Sequence, residues 1–415
     1  MFRTLAALLI ATVSTTAAAQ QITLRHNLTG ASFDALSTLV VRFNDEQKGK
    51  AKVVLQDVKG VANKRRLPNL ALLNGDDTWA FFGTRPRFMR IPDLMKAGGQ
   101  KLDTGSFYPQ IADTVGDPRG RIQALPLALT LPVLFYNKDD FYKAGLDPTS
   151  PPKTWMEVQN AAGKLFDAGF KCPLTTSRFA WVHVETVAMQ HGEEPLKKRG
   201  RREHFAFNNL VDVLHLALLA SWQKSFYFHY FGPGREGDAK FMSGKCAMLT
   251  SGSGLQAELK TRRPFDYGVA RLPYHGDMYE VHPSRVLPDG ASLWALAGKK
   301  RSEDRVAARF VAFLMRPDVQ REWVASTGYL PMTPVAMGSL ASAGMPEAII
   351  SEAKKRLVMP RQANDRMYSG FGRERVRAIL NQEIEQVWKN VKPAKQALDN
   401  AMERANRTTV LSLRH

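Results

Sequence analysis

Apolar and polar positions alternate along the chain in two rhythms. Ile22-Thr-Leu-Arg-His26 follows period two and predicts a short strand. From Ser32 to Glu46 the spacing becomes three and four, placing Phe33, Leu36, Leu39, Val40 and Phe43 on one helix face. Strand patterns return at 52–56 and 78–82, and a helix pattern at 91–97. This βαβαβ alternation predicts an α/β lobe with a mainly parallel sheet. A near-continuous apolar run then fills 124–136. Pro126 and Pro132 interrupt it, so it predicts two buried strands rather than one helix.

Thr154 stands as an N-cap before Trp155, with Glu157 at the third helical position, the arrangement of a capping box. That helix is expected to run to Ala168 and stop at Gly169. A second alternation follows: helix at 208–223, strand at 245–250, helix at 255–261, strand at 267–272. The last third is helical in pattern, at 303–315, 317–326, 346–356, 373–390 and 393–407. Two α/β lobes with a helical C-terminal third fit either a bilobal receptor or a two-domain enzyme.

Composition narrows the function. The chain has 415 residues, 44% apolar and 23% charged, which is the profile of a folded protein rather than a disordered one. Two cysteines, Cys172 and Cys246, exclude a cysteine framework and a four-cysteine metal site. The formal net charge of +19 raises polyanions as partners: nucleic acid, an anionic membrane, or an acidic small ligand. Residues 1–19 decide among these. Arg3, an apolar run from Leu5 to Val13 and Ala17-Ala18-Ala19 follow the order of a secretory signal cut after Ala19. A soluble, exported and periplasmic protein is expected, which demotes nucleic acid. In that compartment Cys172 and Cys246 either pair or remain as two buried thiols; their spacing does not decide.

Several short motifs resemble functional signatures without their full context. Gly232-Pro-Gly234-Arg-Glu-Gly237 matches a dinucleotide fingerprint, but Pro233 and the short segment before Gly244 favour a surface turn. His183, Glu185 and His191 lack the partners of a metal set and read as the polar rim of a helix. Gly252-Ser253-Gly254 is not a nucleophile elbow; it suits a backbone loop meeting an anion at a helix N-terminus, or a plain cap. Lys197–Arg202 reads as a solvated loop, and Lys64-Arg65-Arg66 is ambiguous. No metal, cofactor or catalytic set is expected.

Leu131-Pro-Val-Leu-Phe-Tyr-Asn-Lys-Asp139, Ala144-Gly-Leu-Asp-Pro148, Pro151-Pro-Lys-Thr-Trp155, Gly290-Ala-Ser-Leu-Trp294 and Thr327-Gly-Tyr-Leu-Pro331 carry a resemblance. The chain is similar to the extracellular solute-binding proteins (family 1) of ABC importers, and most to their glycerol-3-phosphate-binding members. The resemblance is strong from about residue 124 and thin between 60 and 120. It implies a two-lobe, type II periplasmic-binding (Venus-flytrap) fold. Lobe 1 would hold 20–131 and 285–331, and lobe 2 132–284 and 332–415. The chain would act as a monomer, without catalysis, taking a solute into the cleft and presenting it to permease subunits.

The resemblance also implies ligand contacts at Thr130, Ser253, Gly290, Tyr329 and Arg377, with Arg178 and Trp181 as further cleft residues. Arg377 would clamp phosphate with its planar fork. The family's first-lobe polar contacts are replaced here, around Lys59-Gly60-Val61-Ala62 and Phe81-Phe82-Gly83. The groups that suit phosphate are kept while those that suit glycerol hydroxyls are not, and the solute the resemblance implies is sn-glycerol-3-phosphate or a related phosphorylated glycerol ester. A sugar receptor is the alternative, and an exported hydrolase or a basic surface-binding protein stands further off.

Overall fold

A computed structural model describes residues 19–57, 67–73, 87–117, 120–199, 202–278, 281–283, 285–358 and 370–412. The proposed signal segment, the strand expected at 78–82, Lys64-Arg65-Arg66, Ala62 and Phe82 lie outside these residues. No helix among the described residues is long and apolar enough to cross a membrane.

The first sheet holds β1 (Gln20–His26), β2 (Ala51–Asp57), β3 (Leu70–Leu73), β4 (Phe88–Met89), β5 (Leu125–Thr130) and β13 (Asp289–Leu296). β1 runs parallel to β2 and β3, but β13 is antiparallel to β3, β4 and β5. The sheet is therefore mixed rather than mainly parallel, because β13 returns from late in the chain. Its core includes Leu36, Leu39, Val40 and Phe43 of the predicted first helix, which spans Gly30–Glu46.

The second sheet has the order β10 (Phe228–His229), β7 (Leu174–Thr176), β11 (Met248–Gly252), β6 (Pro132–Asn137), β12 (Tyr267–Arg271). Both faces are covered. On β6, Leu134 and Tyr136 join one core while Val133 and Phe135 join another, as period two dictates. The two prolines of the apolar run act as expected. β5 and β6 lie in different sheets, and Leu131 is the single residue between them.

Trp155–Asp167 forms the predicted helix with a complete Thr154–Glu157 capping box. The C-terminal helices Gly370–Trp388 and Ala394–Ser412 bring Leu380, Ile384, Ala397 and Ala401 into the core around Trp155.

Three local expectations change. Lys197–Arg202 is not a loop: β8 (Leu196–Arg199) and β9 (Arg202–Phe205) pair as a two-stranded hairpin. Its alternating cations do not prevent pairing on a ribbon separate from both main sheets. His183, Glu185 and His191 are buried, not a rim, because the π-helical turn Ala180–Thr186 lies inside the second core. Cys172 and Cys246 form a disulfide. They precede the adjacent parallel strands β7 and β11, where Ala247 N–H already donates to Cys172 O at 3.0 Å.

Candidate functional site

A cavity of about 80 Å³ lies where segments of the two sheets meet. On a measure where roughly 10–15 Å³ admits one water, this is room for a small solute. It is lined from the first sheet by Asn27–Thr29, Ala128, Thr130 and Gly290, and from the second by Arg178, Ser251, Gly252 and Gly254. Arg235, Asp238, Glu258 and Tyr329 complete the wall.

The floor is built at the crossing residue. Leu131 N–H donates to Ser253 Oγ at 3.1 Å, and Ser253 N–H donates back to Leu131 O at 2.7 Å. Ser253 Oγ lies 2.8 Å from Thr130 Oγ1, which accepts from Gly254 N–H at 2.7 Å. Gly254 is required by a close approach: a Cβ there would stand 2.5 Å from the Tyr329 ring. Tyr329 stacks on Trp323 and accepts a hydrogen bond from Ser32 Oγ at 3.1 Å. Gly290 is more constrained still. Its φ is +150°, and a Cβ would fall 2.1 Å from Ala128 O.

Two helices point their N-termini at the cavity. Gly30–Glu46 has no side-chain cap and no acidic residue in its first turn, so its orphan N–H groups keep their partial positive charge. The helix Leu255–Arg262 begins directly after Gly254.

Arg178 is the one cation among the predicted residues that lines the cavity. Its backbone is left-handed at φ +55°, and its N–H donates to Gly234 O at 2.7 Å. The turn discarded as a dinucleotide loop thus helps to hold Arg178. Its guanidinium lies 4.4 Å over the Trp181 ring and pairs through Nη2 with Asp289 Oδ2. Trp181 is itself fixed by donating Nε1–H to Leu287 O at 2.8 Å.

Arg235 donates to Asp238 at 2.8 Å, and Asp238 also accepts from Ser251 Oγ at 2.6 Å. Asp238 beside it holds the Arg235 guanidinium above its usual value. Glu258 pairs with Arg262 at 2.9 Å.

Four of the seven predicted residues thus line the cavity: Thr130, Arg178, Gly290 and Tyr329. Ser253 stands one hydrogen bond behind Thr130. Trp181 and Arg377 are not among the described lining residues. Trp181 is buried under Arg178. Arg377, expected to clamp phosphate, is 3% exposed and its fork is occupied. It donates from Nε to Glu185 at 2.8 Å, and from Nη1 to Asp289 at 2.6 Å and Glu374 at 3.1 Å. Burial alone would lower its pKa, but Asp289, Glu185 and Glu374 raise it well above the usual value.

Sequence reasoning missed Asn27–Ser32, Arg235, Asp238 and Glu258. The first group follows a parallel strand and opens a helix, the place where α/β sheets bind ligands, and was legible by that rule. The others depend on packing between distant segments. No group of three or more side chains among the described residues could hold a metal.

The chain is similar to known proteins in sequence and in fold. The family profile described as "Bacterial extracellular solute-binding protein" matches residues 39–343. The sn-glycerol-3-phosphate-binding periplasmic protein UgpB of Pectobacterium atrosepticum is 34% identical over 325 residues, covering 76% of this chain and 73% of that protein. Its namesake in Escherichia coli strain K12 is 33% identical over 324 residues, covering 76% and 74%. The fold is shared with UgpB of Mycobacterium tuberculosis in complex with glycerophosphocholine, at a TM-score of 0.72 and 18% identity over 95% of this chain and 99% of that one. It is shared too with the acarbose-binding GacH receptor of Streptomyces glaucescens, at 0.73 and 16% over 94% and 99%.

Proposed function

The chain belongs to the bacterial extracellular solute-binding proteins, and from that membership we propose that it captures sn-glycerol-3-phosphate or a related phosphorylated glycerol ester and delivers it to its permease. Residues 20–131 with 285–331, and 132–284 with 332–415, would be the two lobes of a periplasmic clamp. The cavity lies between their sheets. A solute that bridges both lobes favours the closed state and shifts the population toward it.

The observation that carries this reading is Arg178. Arg178 lines the cavity, its guanidinium stacked on Trp181 and paired with Asp289 through one nitrogen, and the rest of its planar fork would suit phosphate oxygens. The uncapped N-terminus of Gly30–Glu46 adds orphan N–H donors for an anion. Thr130, Ser253, Gly290 and Tyr329 would supply hydroxyls and close backbone approach. Arg377 would act by holding Asp289 rather than by touching the solute.

A sugar is the second reading. It is favoured by the hydroxyl-rich wall of Thr29, Ser32, Thr130, Ser251 and Tyr329. Calorimetry with glycerol-3-phosphate, glycerophosphoglycerol and maltose separates the two. Binding of a phosphate compound at 1:1, lost tenfold or more in Arg178→Gln, supports the proposal. Maltose binding alone, unaffected by Arg178→Gln, would replace it with the sugar reading.

A further inference from the structure

Each arginine that lines this cavity is already paired with a carboxylate of the chain itself. Arg235 has Asp238. Glu258 stands beside the N-terminus of Gly30–Glu46, its carboxyl carbon 3.4 Å from the place a Cβ on Gly30 would take. Arg178 has Asp289, and the same Asp289 oxygen also accepts from Arg377. Among the described residues, the charged side chains lining the cavity are Arg178 and Arg235 against Asp238 and Glu258, so these charges balance. Behind it, Arg377 is neutralised by Glu185, Asp289 and Glu374.

Asp289 is central to this balance. It opens β13 next to Gly290, is 2% exposed, and joins the lining Arg178 to the buried Arg377. Burial would push its carboxyl up, but Arg178, Arg377 and Arg373 hold it well below the usual carboxylate range, so it is ionised at neutral pH.

Resting on the phosphorylated-solute reading above, we infer that Asp289 is a specificity-determining residue: an internal anion that fits the cavity to a solute bearing one negative charge, a phosphodiester, and against the dianion of a phosphomonoester. A monoester gains its second charge above an ionisation near pH 6. That second charge finds no unshared cation among the described lining residues, and it meets Asp238 and Glu258 on the wall with Asp289 behind Arg178. A diester lacks it, and the arginine fork still meets its two free oxygens.

The test is calorimetry with two glycerol-based probes, glycerophosphoglycerol as the monoanion and glycerol-3-phosphate as the dianion, at pH 8. The wild-type protein is expected to favour the diester by about tenfold or more. Asp289→Asn keeps the side chain's size and removes its charge. It is expected to raise glycerol-3-phosphate affinity at least fivefold relative to the diester, narrowing the preference. Equal or tighter glycerol-3-phosphate binding by the wild type, or an unchanged ratio in Asp289→Asn, overturns the inference and leaves the phosphorylated-solute reading standing. Should the variant not fold, the wild type alone answers. Moving from pH 8 to pH 5.5 converts the monoester to a monoanion and should tighten it severalfold while the diester stays level; no change overturns the inference. Binding of maltose with neither phosphate probe removes the inference and the reading together.

Discussion

At the residue scale, the outcome for Arg377 separates what a residue type suggests from what its neighbours allow. An arginine on a late helix is chemically apt for phosphate, yet here each side of its fork is taken by a buried carboxylate. Replacing it with Ala removes the buried cation that Glu185, Asp289 and Glu374 share. Arg377→Ala is expected to cost about 3–5 kcal/mol of stability, read by chemical denaturation. A fully stable variant that merely loses ligand would return Arg377 to direct contact. Gly290 makes a complementary case, where identity follows from backbone geometry. Its φ of +150° and the 2.1 Å approach to Ala128 O leave no place for a side chain. Gly290→Ala should destabilise by about 2–4 kcal/mol and displace β5 from β13. An unchanged melting temperature would contradict that close approach.

At the element scale, the second core carries a chain of imidazoles. His183 Nδ1 lies 2.9 Å from His215 Nε2, His215 Nδ1 lies 3.0 Å from His275 Nε2, and His275 N–H donates to His191 Nε2 at 3.2 Å. Thr176 and Thr250 close the far end on β7 and β11. Burial lowers the pKa of His183 to about 3 and of His275 to about 4, and holds His215 well below its usual value. All three are neutral in the folded protein at neutral pH, whereas each takes a proton in the unfolded chain below about 6.5. The unfolded state therefore binds more protons as pH falls. Stability is expected to be flat above pH 7 and to drop from about pH 6.5 toward pH 4, by at most about 4 kcal/mol per unit. Asp212 opposes this in part, since burial pushes its carboxyl up and it gains a proton on folding. Urea midpoints at pH 7.5, 6.0 and 5.0 give the slope. A midpoint that stays level across that range would mean that these histidines are not held neutral.

At the scale of the whole molecule, the cavity is walled from both sheets, so one solute should stabilise both proposed lobes. At a hundred times its dissociation constant a ligand adds about 2.7 kcal/mol. Calorimetric unfolding is expected to move as one shift of the entire transition; a shift confined to part of it would place the site in a single lobe. How much of this was legible follows from range. The alternation around Phe33–Phe43, the Thr154–Glu157 capping box and the two prolines at 126 and 132 act over a few residues. They marked the first helix, the capped helix and the two buried strands correctly. The strand Leu174–Thr176 was missed because three residues carry too little period. Longer matching stretches also gave the family. Disulfide formation between cysteines 74 positions apart, the burial of His183 and Glu185, and the pairing of Arg377 with Glu185 across 192 positions have no local signal. Chain closure alone brings those groups together. A charge buried without water must then be met by whichever opposite charge the fold supplies, and that partner decides whether an arginine faces the solute or the protein.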